Sequence, residues 1–101
     1  MRFRVLGPLE VRTDDDVPVK VPESKVRLLL AILLSHDGRP VPVDALAEHL
    51  WGSAQPKDPA AVLRTKVAQL RRALESAEPG GRDLVEWRAG GYALRAAAGA
   101  V

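Results

Sequence analysis

One long amphipathic helix, bracketed at both ends, constrains this chain more than any other feature. Asp58 then Pro59 is a helix start: a capping carboxylate, followed by a proline at the first helical position, where its missing N–H removes no bond. Pro79-Gly80-Gly81 is a stop. Between them Leu63, Val67, Leu70 and Leu74 recur at helical spacing and form one apolar stripe. The spacing predicts a helix over 59–77. At about 100° per residue, the positions opposite the stripe are Ala61, Thr65, Ala68 and Arg72, with Gln69 beside them. Arg64 and Arg71 line one flank and Lys66 the other.

Such a stripe needs a partner, and the preceding residues supply two more helices. Over 24–36, Val26, Leu29, Leu30 and Leu33 share a face, which Leu28, Ile32 and Leu34 widen. This helix is expected to be the most buried, with Ser24 as its N-cap and Asp37-Gly38 as its end. A shorter helix over 43–50 carries Val43, Leu46, Ala47 and Leu50, with Asp44 in its first turn and Trp51-Gly52 closing it. Residues 53–59 hold two prolines and read as a loop.

Extended pieces flank the helices. Residues 2–6 and 9–12 alternate polar and apolar around a Gly7-Pro8 turn. After Asp14-Asp15-Asp16, residues 17–21 read as a third extended piece, with Pro18 suited to an edge. At the other end, residues 84–88 and 92–95 flank Ala89-Gly90-Gly91, which supplies the positive-φ positions of a tight turn. Trp87 and Tyr92 are expected to pack this hairpin onto the third helix. The predicted fold is α+β: a winged helix-turn-helix with an N-terminal antiparallel β-sheet, three helices and a C-terminal β-hairpin wing. It should occupy residues 1–95, with 96–101 an alanine-rich tether.

The residue types exclude much chemistry. With no cysteine there is no disulfide, thiol nucleophile or zinc finger, which fits a cytoplasmic protein. The longest apolar run, residues 28–34, is far short of the roughly 18–20 residues of a membrane span. Arg2 and Arg4 precede only Val5 and Leu6, too little for the apolar core of a signal peptide. His36 and His49 lack a second ligand at metal spacing, and Asp14–Asp16 begins no calcium loop. No nucleophile elbow or phosphate-cradling glycine loop occurs. The reading is a non-enzyme without a cofactor.

Charge gives the positive signal. The 101 residues carry a net charge of only +2, but residues 64–72 contain Arg64, Lys66, Arg71 and Arg72 and no acid. A helix inserted into a DNA groove needs small or hydrogen-bonding residues at its tip and cations on its flanks. Thr65, Ala68, Gln69 and Arg72 supply the first, and Gln and Arg read base edges bidentately. Arg64, Lys66 and Arg71 supply the second. Arg88, just before the hairpin turn, is placed to enter an adjoining minor groove. The alternative is a winged helix that docks on protein without binding DNA. Such a helix would expose apolar residues here, and this one offers nothing larger than alanine.

Several segments together resemble a known family. They are Phe3-Arg4-Val5-Leu6-Gly7-Pro8-Leu9-Glu10-Val11, the run from Lys25 to Leu34, Val43-Asp44-Ala45-Leu46 through Leu50-Trp51-Gly52, Val67-Ala68-Gln69-Leu70-Arg71-Arg72-Ala73-Leu74, and Gly91-Tyr92-Ala93-Leu94. In this order, over residues 2–95, the chain resembles the OmpR/PhoB-type winged-helix domain of Streptomyces antibiotic regulatory protein (SARP) transcriptional activators. The resemblance implies double-stranded DNA as partner, with the third helix in the major groove and the wing in the minor groove. It implies dimers on a direct-repeat operator. It places Trp51, Lys66 and Arg71 at phosphate-contacting positions, Gln69 at a base-reading position and Arg88 at that of the wing arginine. It also implies contact with RNA polymerase, at its sigma subunit, through the loop over 52–57, where Gln55 and Lys57 are the candidates, neither being needed for helix capping. Ala68 and Glu86 depart from the family pattern, which carries Ser or Arg and a Thr-like residue there. Full-length members continue into a bacterial transcriptional activation domain, so the tether is expected to lead toward one.

Overall fold

In the computed structural model of the chain, the described residues are 23–95 throughout and, as backbone, 2–4 and 10–12. Strands β1 (Arg2–Arg4) and β2 (Glu10–Arg12) pair antiparallel, with Phe3 opposite Val11. The expected third extended piece at 17–21 and the tether at 96–101 lie outside the described residues.

Helix α1 (Ser24–Ser35) contributes Val26, Leu29, Leu30, Leu33 and Leu34 to the core, while Leu28 stays exposed. Its N-cap is Glu23 rather than Ser24. Glu23 is extended and makes no side-chain cap bond, because its carboxylate is held elsewhere, by Lys66. The Glu23 carbonyl still accepts the first helical bond, from the Arg27 N–H. Helix α2 (Val43–Trp51) buries Leu46, Ala47 and Leu50 and ends where Gly52 takes φ 57°. Helix α3 (Pro59–Ala77) has the predicted bounds. Asp58 accepts a bond from the Ala61 N–H at 3.2 Å, a cap of about 1 kcal/mol. Leu63, Val67, Leu70 and Leu74 are all buried, so α3 is the element around which the core closes.

The wing is larger than a hairpin. After a short 3-10 turn (Gly81–Leu84), β4 (Val85–Arg88) and β5 (Gly91–Leu94) pair antiparallel. A two-residue strand, β3 (Val41–Pro42), adds to the other side of β5, giving the order β3-β5-β4. The hairpin turn uses positive φ at Ala89 (53°) and Gly90 (76°), the pair a two-residue turn of this hand requires. Gly91 serves a different need from the one expected. A Cβ there would lie 2.2 Å from the Val41 carbonyl oxygen, so its hydrogen lets β3 approach. This third strand ties the segment before α2 to the wing hairpin.

Candidate nucleic-acid interface

The stripe that buries α3 on one side dictates what it presents on the other. Arg64, Thr65, Ala68 and Arg72 are exposed, and Ala61 is half-buried. The Thr65 hydroxyl donates back to the Ala61 carbonyl at 3.3 Å, keeping the side chain close to its own helix. Arg64 and Arg72 take no acceptor among the described residues. The outer ridge is therefore small, polar and cationic.

The other sequence-predicted residues are held more tightly. Lys66 Nζ lies 2.7 Å from Glu23 Oε2. The pair joins α3 to the start of α1 and neutralises that flank. Arg71 donates through Nε and Nη2 to the Val85 carbonyl at 3.2 and 3.0 Å, so it pins β4 alongside α3. Its charge is not neutralised, since the acceptor is a peptide carbonyl. Gln69 is half-buried, and its Oε1 is enclosed without a hydrogen-bond partner. Trp51, at the end of α2, packs partly buried against the core. Arg88 is exposed, and its Nη2 donates to the Gly38 carbonyl at 2.6 Å, tethering the wing to the turn after α1. In the connection between α2 and α3, Lys57 is exposed and Gln55 donates to Glu48 at 3.4 Å.

The two wing aromatics, both expected to pack the hairpin onto α3, differ in burial. Tyr92 is 6% exposed and belongs to the core, whereas Trp87 is 58% exposed. The wing meets α3 at Val85, where Arg71 grips it. Trp87 and Tyr92 lie directly opposite each other, but Tyr92 is on the central strand β5, between β3 and β4, whereas Trp87 is on the edge strand β4. Sequence reasoning also missed Glu23 as a partner of the basic helix. Forty-three positions separate it from Lys66, and no local pattern links them. Among the described residues no group of His, Asp or Glu gathers as a metal site. No helix among them is long and apolar enough to cross a membrane.

Three helices, a three-stranded wing and an exposed cationic third helix define a winged helix-turn-helix. Residues 18–94 match the family described as "Transcriptional regulatory protein, C terminal", and the chain belongs to that family of OmpR/PhoB-type domains. The chain is 35% identical over 95 residues to the regulatory protein AfsR of Streptomyces coelicolor, covering 94% of this chain and 9% of AfsR. It is 37% identical over 92 residues to the transcriptional regulatory protein EmbR of Mycobacterium tuberculosis, covering 91% of this chain and 24% of EmbR. A solved structure of M. tuberculosis EmbR, in complex with a low-affinity phosphopeptide, superposes with a TM-score of 0.86 at 34% identity, over 98% of this chain and 26% of that one. These relatives are SARP-family regulators. The chain thus spans a quarter or less of the length of the curated relatives named here.

Proposed function

We propose that this chain binds double-stranded DNA as the sequence-reading domain of a SARP-type transcriptional activator. In this reading α3 lies in the major groove and the wing reaches the adjoining minor groove. Two copies occupy a direct-repeat operator, and the loop over 52–57 meets RNA polymerase at its sigma subunit.

The observation that carries the reading is the α3 ridge: Arg64, Thr65, Ala68 and Arg72 exposed together, with both arginines unpaired among the described residues. Unpaired guanidinium groups on an exposed helix face attract an anionic partner, and a regular double helix offers phosphates on both walls of a groove that admits a helix. The fixed cations have complementary parts. Arg71 can hold a phosphate with the N–H groups that Val85 leaves free. Lys66 reaches DNA by exchanging Glu23 for phosphate, and Arg88 enters the minor groove by releasing Gly38. Gln69 reads a base by turning its amide out of the enclosed position it now holds.

Salt titration of binding to duplex DNA tests this. Four or five cations meeting phosphate give a slope of log affinity against log salt of roughly −4 per monomer. A slope near zero would reject the DNA reading in favour of a protein-docking winged helix.

A further inference from the structure

Among the described residues only two large apolar side chains are exposed, Leu28 and Trp87, and Trp87 is the more exposed. It sits opposite Tyr92 in the wing, the two rings edge to face with centroids 5.0 Å apart. Tyr92 is buried, so it braces the indole from one side and leaves the rest in solvent. The two rings line a niche of about 320 Å³ together with Val43, Ala60 and Arg64. The niche lies between the wing and the first turns of α2 and α3. Four of its walls are apolar, and its single cation, Arg64, has no acceptor among the described residues. The indole N–H likewise has none.

Position on the helix decides what can fill this niche. Arg64 lies about 100° from the core stripe and about 80° short of Arg72 at the tip. On a helix seated in a groove, the tip faces the base pairs and positions near 90° from it face the walls. The walls are sugar and phosphate. A deoxyribose has an apolar face, and its phosphate carries a full negative charge, which matches an apolar niche with one guanidinium at its rim. We propose that Trp87 and Arg64 clamp one deoxyribose-phosphate unit of the DNA backbone, the sugar against the indole and the phosphate on the guanidinium. This rests on the DNA-binding reading above and adds to it a contact that needs no particular base.

Affinity for a labelled random-sequence duplex, measured at several salt concentrations with the whole chain, tests the clamp. Trp87→Ala is expected to weaken binding roughly tenfold, as loss of one partly buried aromatic contact would, with the salt slope unchanged. Trp87→Phe should recover most of the loss. Arg64→Ala should weaken binding and make the slope shallower by about one, because a phosphate contact is gone. The double variant should lose less than the product of the two single losses, since both side chains hold the same unit. Trp87 is exposed, so the variants should melt with the wild type, and Trp87→Phe provides the comparison if Trp87→Ala does not. Wild-type binding with a steep salt slope, but Trp87→Ala within about twofold of it, overturns the clamp and leaves the DNA reading standing. A loss confined to duplexes with thymine at one position also overturns it, because the contact is then to a base. Failure of the wild type to bind any duplex removes the DNA-binding reading itself.

Discussion

Both flanks of α3 carry cations, one on the first and two on the second, and these have met different fates. On one, Lys66 is paired with Glu23 at 2.7 Å, the two side chains 20% and 37% exposed. On the other, among the described residues, Arg64 has no acceptor and Arg71 is bonded only to a backbone carbonyl. One flank is thus closed by an internal carboxylate that stands where a phosphate could, and the other is open toward the wing. The ion pair is modest in energy, about 1 kcal/mol or less at this exposure. On the DNA-binding reading, a phosphate has to displace this carboxylate to reach Lys66, at a cost of the same order as the pair, about 1 kcal/mol or less. A count of basic residues on a helix therefore overstates the charge available to a partner.

The largest predicted effect breaks both flanks at once. Leu70 is fully buried on the stripe that seats α3. Leu70→Ala should cost about 2–5 kcal/mol of stability in urea denaturation, with DNA affinity lost as the helix unseats. A cost under ~1 kcal/mol would mean that α3 is not the centre of the core.

Gln69 lies on the closed side of the helix. Gln69→Ala should relax preference at one base pair, by about 1–3 kcal/mol at a selected operator. Equal losses on operator and random DNA would show that the amide stays in its enclosed position and reads nothing.

Arg71→Ala probes the open side. Affinity should fall about equally on all duplexes, and the lost bonds to Val85 should lower stability by roughly 1 kcal/mol. Loss of stability with unchanged affinity would make Arg71 a wing clamp alone.

Glu23→Gln sharpens the contrast by opening the closed flank. It should tighten binding to random DNA and steepen the salt slope by up to about one, while stability falls by less than ~1 kcal/mol. An unchanged slope would show that Lys66 stays off the DNA even when free.

The smallest effect on affinity is expected in the connection between α2 and α3. Replacing Gln55 and Lys57 with alanine should lower promoter activation in a purified transcription assay. Operator affinity should change by under ~0.5 kcal/mol. If activation and binding fall together, or neither changes, the loop is a spacer.

Local signals made most of the fold legible. Asp58-Pro59, the leucine stripe and Pro79-Gly80-Gly81 are adjacent cues, and α3 has the bounds they predict. The turn at Ala89-Gly90 was legible for the same reason. Strand β3 was not, because two residues are too short to show alternation, and its partner among the described residues lies some fifty positions later in β5. The ridge of Arg64, Thr65, Ala68 and Arg72 follows from the helical period once the buried side is known. The burial of Tyr92 and the exposure of Trp87 do not. Both are large aromatics, paired directly across the hairpin, and what separates them is that β3 makes β5 the central strand and leaves β4 at the edge.

The sequence by itself determined the helices, the wing hairpin and which side of α3 faces outward, because those follow from the period of apolar residues and from turn chemistry within a few positions. Only the tertiary structure decided which cations remain open. That choice depends on distances between segments far apart in the chain: Glu23 to Lys66, Val85 to Arg71, Gly38 to Arg88. Hydrogen bonds form only within about 3.5 Å, and close ion pairs within about 4 Å. Partners of this kind exist only once packing has brought the segments together.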